Sequence, residues 1–264
     1  MAFRPDIDIE TVKSWCREVG DYQLDNFEGD IDFESKDQKI NLVSEVDKKS
    51  ESMLIERIAG EFPDHSVLAE ERGEDRQKSS VRWIIDPLDG TVNYIHGFPI
   101  FSISIAVFQE ETPELAVVYL PVRDVFFTSR QGEGSWRDSE RLQVDDQAEL
   151  STSIVATGFP YDHQQESEEV LNYLEEIIPR AGGIRRTGSA AYDLALVAAG
   201  IFGGFWEIKL SPWDVAAGIL LVKEAGGLAS DFSGRDISLS GEEIVAGSPG
   251  VHDELLTFLQ QAVR

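Results

Sequence analysis

The stretch at residues 83–107, WIIDPLDGTVNYIHGFPIFSISIAV, constrains the fold of this chain more than any other. An apolar run carries Asp86 and then Asp89 to its end, and a second apolar run leads back into a core. This pattern predicts a strand, a tight turn and a return strand. Two acids at a strand end, followed by Gly90 and the hydroxyl of Thr91, indicate divalent-metal and phosphate chemistry. The rest of the chain must then supply further metal ligands and a substrate pocket.

The composition is that of a folded protein without a membrane span. Of the 264 residues, 42% are hydrophobic and 9% aromatic, enough for one large domain or for two halves that share an interface. No apolar run approaches the roughly 20 residues that cross a bilayer. The first residues, MAFRPDIDIE, lack the apolar centre of a secretory signal, and the single cysteine, Cys16, excludes an intrachain disulfide. We therefore expect a soluble, cytoplasmic protein.

The charge is strongly acidic and limits the possible partners. Asp and Glu number 49 against 23 Lys and Arg, for a net charge of -26, and such a field repels nucleic acid and anionic membranes. Only 8 of the 23 cations are lysine, a balance that predicts a salt-adapted, halophilic cytosol. Equal melting temperatures in about 0.1 M and in molar KCl would contradict that prediction. A negatively charged substrate can approach productively only where bound cations reverse the local potential.

The pattern of apolar residues divides the chain into two halves. In residues 1–147, two helical segments precede short β-type runs, which predicts an α+β half with a largely antiparallel sheet. A polar boundary lies at residues 143–151. In residues 148–264, strands and helices alternate as in an α/β layer, with strands expected at 153–157 and 201–207. The fold class is therefore α+β in the first half and α/β in the second.

Helical spacing assigns positions to several polar residues of the first half. Residues 7–28 carry apolar side chains at roughly helical spacing, and Gln23 or Leu24 completes that face. Ser44 and Asp47 resemble a capping box at the start of a second helix. Asp47 thus has a structural explanation, as a first-turn acid favoured by the helix dipole, and the spacing leaves a chemical role open.

Glu70, Asp86 and Asp214 each follow directly on an apolar or aromatic residue. A metal ligand at the edge of a core needs such placement, whereas a solvated acid does not. Asp86 and Asp89, at i and i+3 across a turn stiffened by proline, can point at the same pair of ions, and the carbonyl of Leu88 between them offers another oxygen. Oxygen ligands are those that Mg²⁺ requires. Because the chain has 49 carboxylates, this context carries more weight than any acidic pair alone.

The other candidate residues have two interpretations each. Gly188, Ser189 and Ala190 lie at the start of a predicted helix. Either their N–H groups bind an anion, or their small side chains allow the helix to pack against the sheet. Glu207 lies at the end of an apolar strand. Its spacing supports equally a residue that binds a substrate hydroxyl and an acid on the surface. No pair of the four histidines has zinc spacing. No nucleophile elbow and no glycine-rich nucleotide loop is present either.

Long motifs of mixed residue type resemble those of the inositol monophosphatase family, within the Mg²⁺-dependent, lithium-sensitive phosphatase superfamily that includes fructose-1,6-bisphosphatases. The two strongest are WIIDPLDGTVNYIHGFP at 83–99 and WDVAAGILLVKEAGG at 213–227. Supporting matches are LVSEVD at 42–47, AEE at 69–71 and GSAAYDLALVAAG at 188–200. They occur in the family's order over most of the chain. Ser44 and Ser189 stand where family members often have Thr, and both keep the hydroxyl.

The resemblance implies a layered αβαβα sandwich, usually a homodimer, with the active site between the halves. It implies two or three Mg²⁺ ions, with Mn²⁺ as a substitute and Li⁺ and Ca²⁺ as inhibitors. The first half is expected to carry most metal ligands and the second to complete the site. The implied metal ligands are Glu70, Asp86, the Leu88 carbonyl, Asp89 and Asp214. The implied catalytic residues are Glu70 and Thr91, which activate water, and Asp47, which supports Thr91. The substrate is expected to contact Asp89, Gly90, Thr91, Arg185, Gly188, Ser189, Ala190, Glu207 and Asp214.

The implied reaction is two-metal-assisted hydrolysis of a phosphate monoester, above all of inositol 1-phosphate to myo-inositol and phosphate. Three alternatives stay open. The first is another phosphorylated small molecule of the superfamily: fructose 1,6-bisphosphate, histidinol phosphate or 3′-phosphoadenosine 5′-phosphate. The second is a regulatory or binding protein on the same fold. The third is an acidic cation-binding protein without catalysis, which the apolar placement of the key acids disfavours.

Overall fold

The structure is a computed structural model that describes residues 6–27, 33–35, 42–74, 79–160, 163–237 and 243–262. The helices in these ranges are α1 (Ile9–Asn26), α2 (Glu45–Glu61), α3 (Thr91–Ile95), α4 (His163–Ile177), α5 (Ala190–Ala198), α6 (Pro212–Glu224) and α7 (Pro249–Ala262). Two short 3-10 segments occupy Pro121–Arg123 and Leu150–Thr152. No helix in the described ranges is long and apolar enough to cross a membrane.

The strands of the first half are β1 (Phe33–Ser35), β2 (Leu42–Ser44), β3 (Ser66–Ala69), β4 (Gly73–Glu74), β5 (Val81–Asp89), β6 (Ser102–Gln109), β7 (Thr112–Leu120), β8 (Val125–Arg130), β9 (Gly134–Arg137) and β10 (Glu140–Arg141). β1 and β2 pair antiparallel. The other eight form one sheet in the order β10-β9-β8-β7-β6-β5-β3-β4. It is antiparallel except where β3 runs parallel to β5, so the prediction of a largely antiparallel sheet is confirmed.

The strands of the second half are β11 (Ile154–Thr157), β12 (Gly183–Arg185), β13 (Gly204–Ile208), β14 (Leu228–Ser230) and β15 (Glu243–Gly247). They form a mixed sheet in the order β12-β11-β13-β15-β14. β12, β11 and β13 run parallel, and β15 is antiparallel to both its neighbours. The carboxyl ends of β11 and β13 therefore lie at the same edge of this sheet.

Alternating side chains on the two sheets create three apolar layers. Trp83 and Ile85 of β5 point toward α1 and α2, whereas Ile84 points to the opposite face and packs with α5 and α6. In the second sheet, Phe205 faces α5 and α6, and Trp206 faces α4 and α7. The order is therefore helices, sheet, helices, sheet, helices. This confirms the predicted layered αβαβα sandwich, in which α5 and α6 are shared by both sheets; the division at residue 147 stays a prediction.

The structure differs from the sequence expectations in local detail. The chain between β5 and β6 is not a tight turn: it contains the short helix α3, which Gly90 introduces with a left-handed φ of 103°. β13 begins at Gly204 rather than at Ile201. On α1, Gln23 is fully buried and Leu24 is 37% exposed. The polar residue is the buried one because its side chain hydrogen bonds inside the protein.

Candidate active site

Glu70 and Asp86 emerge side by side from two parallel strands. Ala69 of β3 pairs with Ile85 of β5, so the next residue on each strand lies at the same edge of the sheet. Asp86 is 2% exposed and Glu70 is half-buried. Burial, and then the negative charge of Glu70, raises the pKa of Asp86 well above its usual range. Glu70 and Asp86 thus lie at the edge of the core, as the apolar residue before each of them predicts.

The turn after Asp86 brings a second acid to the same place. The Leu88 N–H donates to Asp86 Oδ1 at 2.9 Å, and the pairing of β5 with β6 shifts in register between Asp86 and Asp89. An aspartate that accepts from the N–H two residues on stabilises such a turn. Gln23 of α1 supports the turn from behind, because its Nε2 donates to the Pro87 carbonyl at 2.7 Å. The structure therefore fixes both acids on this one turn, which interrupts the regular pairing at the end of β5.

Thr91 opens α3 with its hydroxyl between two oxygen atoms. Thr91 Oγ1 lies 3.0 Å from Asp47 Oδ2 and 3.0 Å from the Leu88 carbonyl. Asp47, in the first turn of α2, is 1% exposed. Burial and the charge of Glu71 raise the pKa of Asp47 to about 8. The structure thus brings Thr91 into contact with Asp47, the acid for which helical spacing left both a structural and a chemical role open.

Asp89 joins the first half of the chain to the second. Its Oδ2 accepts hydrogen bonds from Ser189 Oγ at 2.6 Å, from the Ala191 N–H at 2.8 Å and from Ser102 Oγ at 3.2 Å. Ser189 is the N-cap of α5, so this carboxylate satisfies donors that a helix start leaves without intrahelical partners. Burial nevertheless raises the pKa of Asp89, since it outweighs these hydrogen bonds.

Asp214 approaches from the second half at the start of α6. It forms a capping box with Ser211: the Ser211 N–H donates to Asp214 Oδ2 at 2.6 Å, and Pro212 occupies the first helical turn. Burial, followed by the charge of Asp89, raises the pKa of Asp214 to about 7. Asp214 therefore lies close enough to the Asp86–Asp89 turn for the acids of both halves to interact.

These elements surround a cavity of about 320 Å³. The expected site residues that line it are Glu70, Asp89, Gly90, Thr91, Gly188, Ser189, Ala190, Glu207 and Asp214. Asp47, Asp86 and Leu88 do not line it themselves, but they contact or electrostatically influence residues that do. These residues therefore lie at or directly behind one cavity, and their roles stay predictions.

Arg185 is the expected substrate residue that does not line the cavity. It is exposed, and its Nη1 donates to the neighbouring carbonyl of Ile184 at 2.9 Å. The next residue, Arg186, lines the cavity instead, with its guanidinium 5.6 Å from the centre of the Phe159 ring. Successive residues at a strand end point in opposite directions, so a shift of one position changes which arginine reaches the site.

Several residues of the site carried no distinct signal in the sequence. Glu71 has a carboxylate oxygen within 4.8 Å of one from Asp47 and one from Glu70. Asp193 of α5 lines the cavity and accepts from Thr187 Oγ1 at 2.7 Å. Gly158 lines it at the end of β11. The AEE motif was the one available indication for Glu71, whereas Asp193 and Gly158 become visible only when distant segments meet.

The electrostatics of the cavity favour a divalent cation. Burial raises the pKa of Glu70 well above its usual range, and so do the charges of Asp47 and Asp214. Buried carboxylates that raise one another's pKa hold excess negative charge, which a bound cation relieves. The donors are carboxylates and one backbone carbonyl, the oxygen set of a hard cation such as Mg²⁺. The donor chemistry therefore fits a divalent cation. Among the described residues, the acids whose oxygen atoms lie within 4.8 Å of one another are Asp47, Glu70 and Glu71, and the predicted ligand set stays a prediction.

Comparison with known proteins agrees with this geometry. The sequence matches the model of the inositol monophosphatase family over residues 8–264. Nus factor SuhB of Escherichia coli strain K12 is 42% identical over 247 residues, which cover 93% of this chain and 92% of that protein. A similar solved structure is the extragenic suppressor protein suhB from Bartonella henselae, with a TM-score of 0.91, 33% identity and coverage of 96% of this chain and 98% of that one. Another is inositol monophosphatase from Anabaena, with a TM-score of 0.84, 35% identity and 97% coverage of both chains.

Proposed function

The chain belongs to the inositol monophosphatase family, and from this premise we propose that it is a Mg²⁺-dependent phosphate monoester hydrolase whose substrate is inositol 1-phosphate. The observation that carries the proposal is that three acids from three segments line one cavity and that a fourth, Asp86, interacts with all three of them. Glu70 and the Asp86–Asp89 turn come from the first half, and Asp214 comes from the second. A merely acidic surface gives no reason for such acids to be buried together.

The same four acids, with the Leu88 carbonyl, are the proposed ligands of two or three Mg²⁺ ions. When bound, Mg²⁺ supplies Lewis-acid chemistry, neutralising the phosphate and the acids and activating water. The raised pKa values of Asp86 and Asp214 support this role, because burial and then the charges of neighbouring acids disfavour the ionised carboxylates, which a bound cation would stabilise. The metal would also reverse the local potential, so that a phosphate can approach a chain of net charge -26.

Glu70 and Thr91 are proposed to hold the attacking water. Thr91 Oγ1 has one proton to donate, and Asp47 and the Leu88 carbonyl are its two acceptors at 3.0 Å. With that proton directed at either acceptor, a lone pair of the hydroxyl faces away and can accept a proton from water. The half-buried carboxylate of Glu70 provides a second acceptor, and Asp47 acts by orienting Thr91.

The substrate is proposed to lie between α3 and the second half of the chain. The first N–H groups of α3, at Thr91 and beside it at Gly90, suit a phosphate oxygen. Ser189 and Glu207 on the opposite wall suit hydroxyl groups of the alcohol. Arg186, in place of Arg185, adds a cation to this wall. The cavity lining therefore combines groups suited to an anion with groups suited to hydroxyls.

A panel of substrates tests the proposal. Phosphate release would be measured with Mg²⁺ on inositol 1-phosphate, fructose 1,6-bisphosphate, histidinol phosphate and 3′-phosphoadenosine 5′-phosphate, at several KCl concentrations. We expect the highest kcat/KM on inositol 1-phosphate and inhibition by Li⁺ and Ca²⁺. A higher value on another member of the panel would reassign the substrate, and no release from any of them would contradict the proposed activity.

The second candidate function is regulatory. It is favoured by the name Nus factor carried by the Escherichia coli relative at 42% identity. The intact set of Glu70, Asp86, Asp89, Thr91 and Asp214 favours catalysis, since a chain that had lost its chemistry has no need of all five.

A homodimer is proposed because the family resemblance implies one, and light scattering after size exclusion would test it. A monomer at micromolar concentration would contradict it.

A further inference from the structure

Gly158 and Glu207 lie side by side at the edge of the second sheet. Thr157 of β11 pairs in parallel with Trp206 of β13, so the next residue on each strand faces the same side, toward α5, α6 and the cavity. A Cβ atom on Gly158 would lie 2.0 Å from Glu207 Oε1 and 2.2 Å from Oε2. Both distances are far below van der Waals contact. The Glu207 carboxylate thus occupies the space that any side chain at position 158 would fill.

The backbone conformation at position 158 does not itself require glycine. Its φ lies outside the left-handed region, unlike those of Gly90 and Gly188, so alanine can adopt the same backbone conformation. The atoms that alanine would meet belong to the far end of a flexible side chain. The expected consequence of a methyl group here is a displaced carboxylate rather than a damaged fold.

Glu207 is placed to meet a ligand rather than a protein partner. It is half-buried and lines the cavity, and within the described part of the chain its carboxylate forms no hydrogen bond. Burial raises the pKa of Glu207 well above its usual range, helped by Asp214 and Asp193 and opposed by Arg186. Because no hydrogen bond from the described residues fixes the carboxylate, its position depends on the surfaces around it, and Gly158 is one of these.

We propose that Gly158 is a specificity-determining residue: by lacking a side chain, it sets the position of the Glu207 carboxylate and so selects phosphate esters of polyols over esters of alcohols without further hydroxyl groups. This inference rests on the proposed phosphatase function. A substrate hydroxyl would donate to Glu207, and a phosphate ester without one would gain nothing from that carboxylate.

The test compares two substrates in the wild type and in Gly158→Ala. The measured quantity is the ratio of kcat/KM for inositol 1-phosphate, which carries hydroxyls, to kcat/KM for phenyl phosphate, which carries none. We expect Gly158→Ala to lower this ratio about 10- to 100-fold, the effect of losing a hydrogen bond to a charged group. The matched control is Gly60→Ala on the exposed surface of α2, where a Cβ meets nothing within 4 Å, and it should leave the ratio unchanged.

Two further variants separate a specific effect from a general one. Glu207→Asp withdraws the carboxylate by one methylene, so the double variant Gly158→Ala with Glu207→Asp should recover part of the ratio that Gly158→Ala loses. Adding Gly158→Ala to Glu207→Gln should lower the ratio no further, because the two substitutions remove the same interaction.

Each other outcome overturns the inference. An unchanged ratio in Gly158→Ala, an equal loss on both substrates, or a variant that fails to fold would show that Gly158 does not act through Glu207. A wild type that releases phosphate from neither substrate would overturn the proposed function and this inference together. An active wild type with an unchanged ratio in Gly158→Ala overturns the inference alone.

Discussion

Ser189 donates a hydrogen bond of 2.6 Å from its Oγ to Oδ2 of Asp89. One residue belongs to the turn that carries the predicted metal ligands, and the other begins the helix α5 that both sheets share. The short distance indicates a charge-assisted bond, which is about twice as strong as a neutral one. The orientation of Asp89, a predicted metal ligand of the first half, is therefore set by a residue of the second half.

This relationship predicts the effects of two substitutions at position 189. Ser189→Ala removes the donor, so the Asp89 carboxylate loses orientation and Mg²⁺ binding should weaken about 10- to 100-fold, as for other groups that support a ligand. Ser189→Thr keeps the hydroxyl and should bind Mg²⁺ nearly as the wild type does. Isothermal titration with Mg²⁺ measures both. Equal weakening in the two variants would mean that packing, and not the hydroxyl, is what matters.

The same acids predict how stability depends on pH without metal. Asp214 has a pKa of about 7 and Asp47 one of about 8 in the folded protein, against about 4 for an unfolded aspartate. The folded state therefore binds protons more tightly, and this contribution is full below about pH 4 and lost as the pH rises through 7 to 8. In EDTA we expect the melting temperature to fall between pH 6 and 8, where surface carboxylates no longer titrate.

Saturating Mg²⁺ should reduce that fall, because the cation replaces the protons in offsetting the buried charge. Asp214→Asn in EDTA should also reduce it, since an amide does not titrate. The loss per group is at most about 1.4 kcal/mol for each pH unit. Two results would contradict raised pKa values for these acids. One is a melting temperature that stays constant from pH 6 to 8 in EDTA, and the other is a fall that is just as large with Mg²⁺.

How much of this site could be predicted from the sequence depends on how far apart along the chain the contacting residues lie. Asp86 follows an apolar run on its own strand, so its place at a strand end is a local property. The contact between Asp89 and Ser189 spans 100 residues and arises only when α5 is packed between the sheets. Similarly, Gly158 resembles any loop glycine until β13 brings Glu207 beside it.

The hardest question for the sequence was which of two neighbouring residues points into the protein or the cavity. Helical spacing does not decide between Gln23 and Leu24, because adjacent residues are about 100° apart on a helix and either fits a broad apolar face. The hydrogen bonds of Gln23 to Ser50 and Pro87 decide it. Arg185 and Arg186 are a similar pair at a strand end, where the direction of the side chain depends on the exact register.

The arginine pair gives a matched test of the cavity. Arg186→Ala should raise KM for inositol 1-phosphate several-fold with a smaller effect on kcat, because it removes a cation that lines the cavity. Arg185→Ala removes an exposed arginine of the same charge that does not line the cavity and whose guanidinium donates to the Ile184 carbonyl, and it should leave KM close to the wild-type value. Steady-state kinetics at fixed ionic strength measures both. Equal effects of the two would indicate a general charge effect and not a contact.

Gln23 and Leu24 give a second matched pair, on α1. Gln23→Leu removes the donor to the Pro87 carbonyl and so releases the back of the Asp86–Asp89 turn. We expect Mg²⁺ affinity to fall about tenfold, while Leu24→Ala, at a site that is 37% exposed, should leave it unchanged. Isothermal titration with Mg²⁺ on folded variants measures this. Wild-type affinity in Gln23→Leu would mean that the turn holds its shape without α1.

The proposed activity is tested most directly by the turnover of Glu70→Gln on inositol 1-phosphate, measured beside the wild type with Mg²⁺ and with EDTA. Glutamine keeps the size of the side chain at the end of β3 but cannot take up a proton from water. We expect the wild type to release phosphate with Mg²⁺ and not with EDTA. Glu70→Gln should turn over about 10²- to 10⁴-fold more slowly with an unchanged circular dichroism spectrum. Near-normal turnover in a folded Glu70→Gln, or wild-type activity that persists in EDTA, would contradict the assignment.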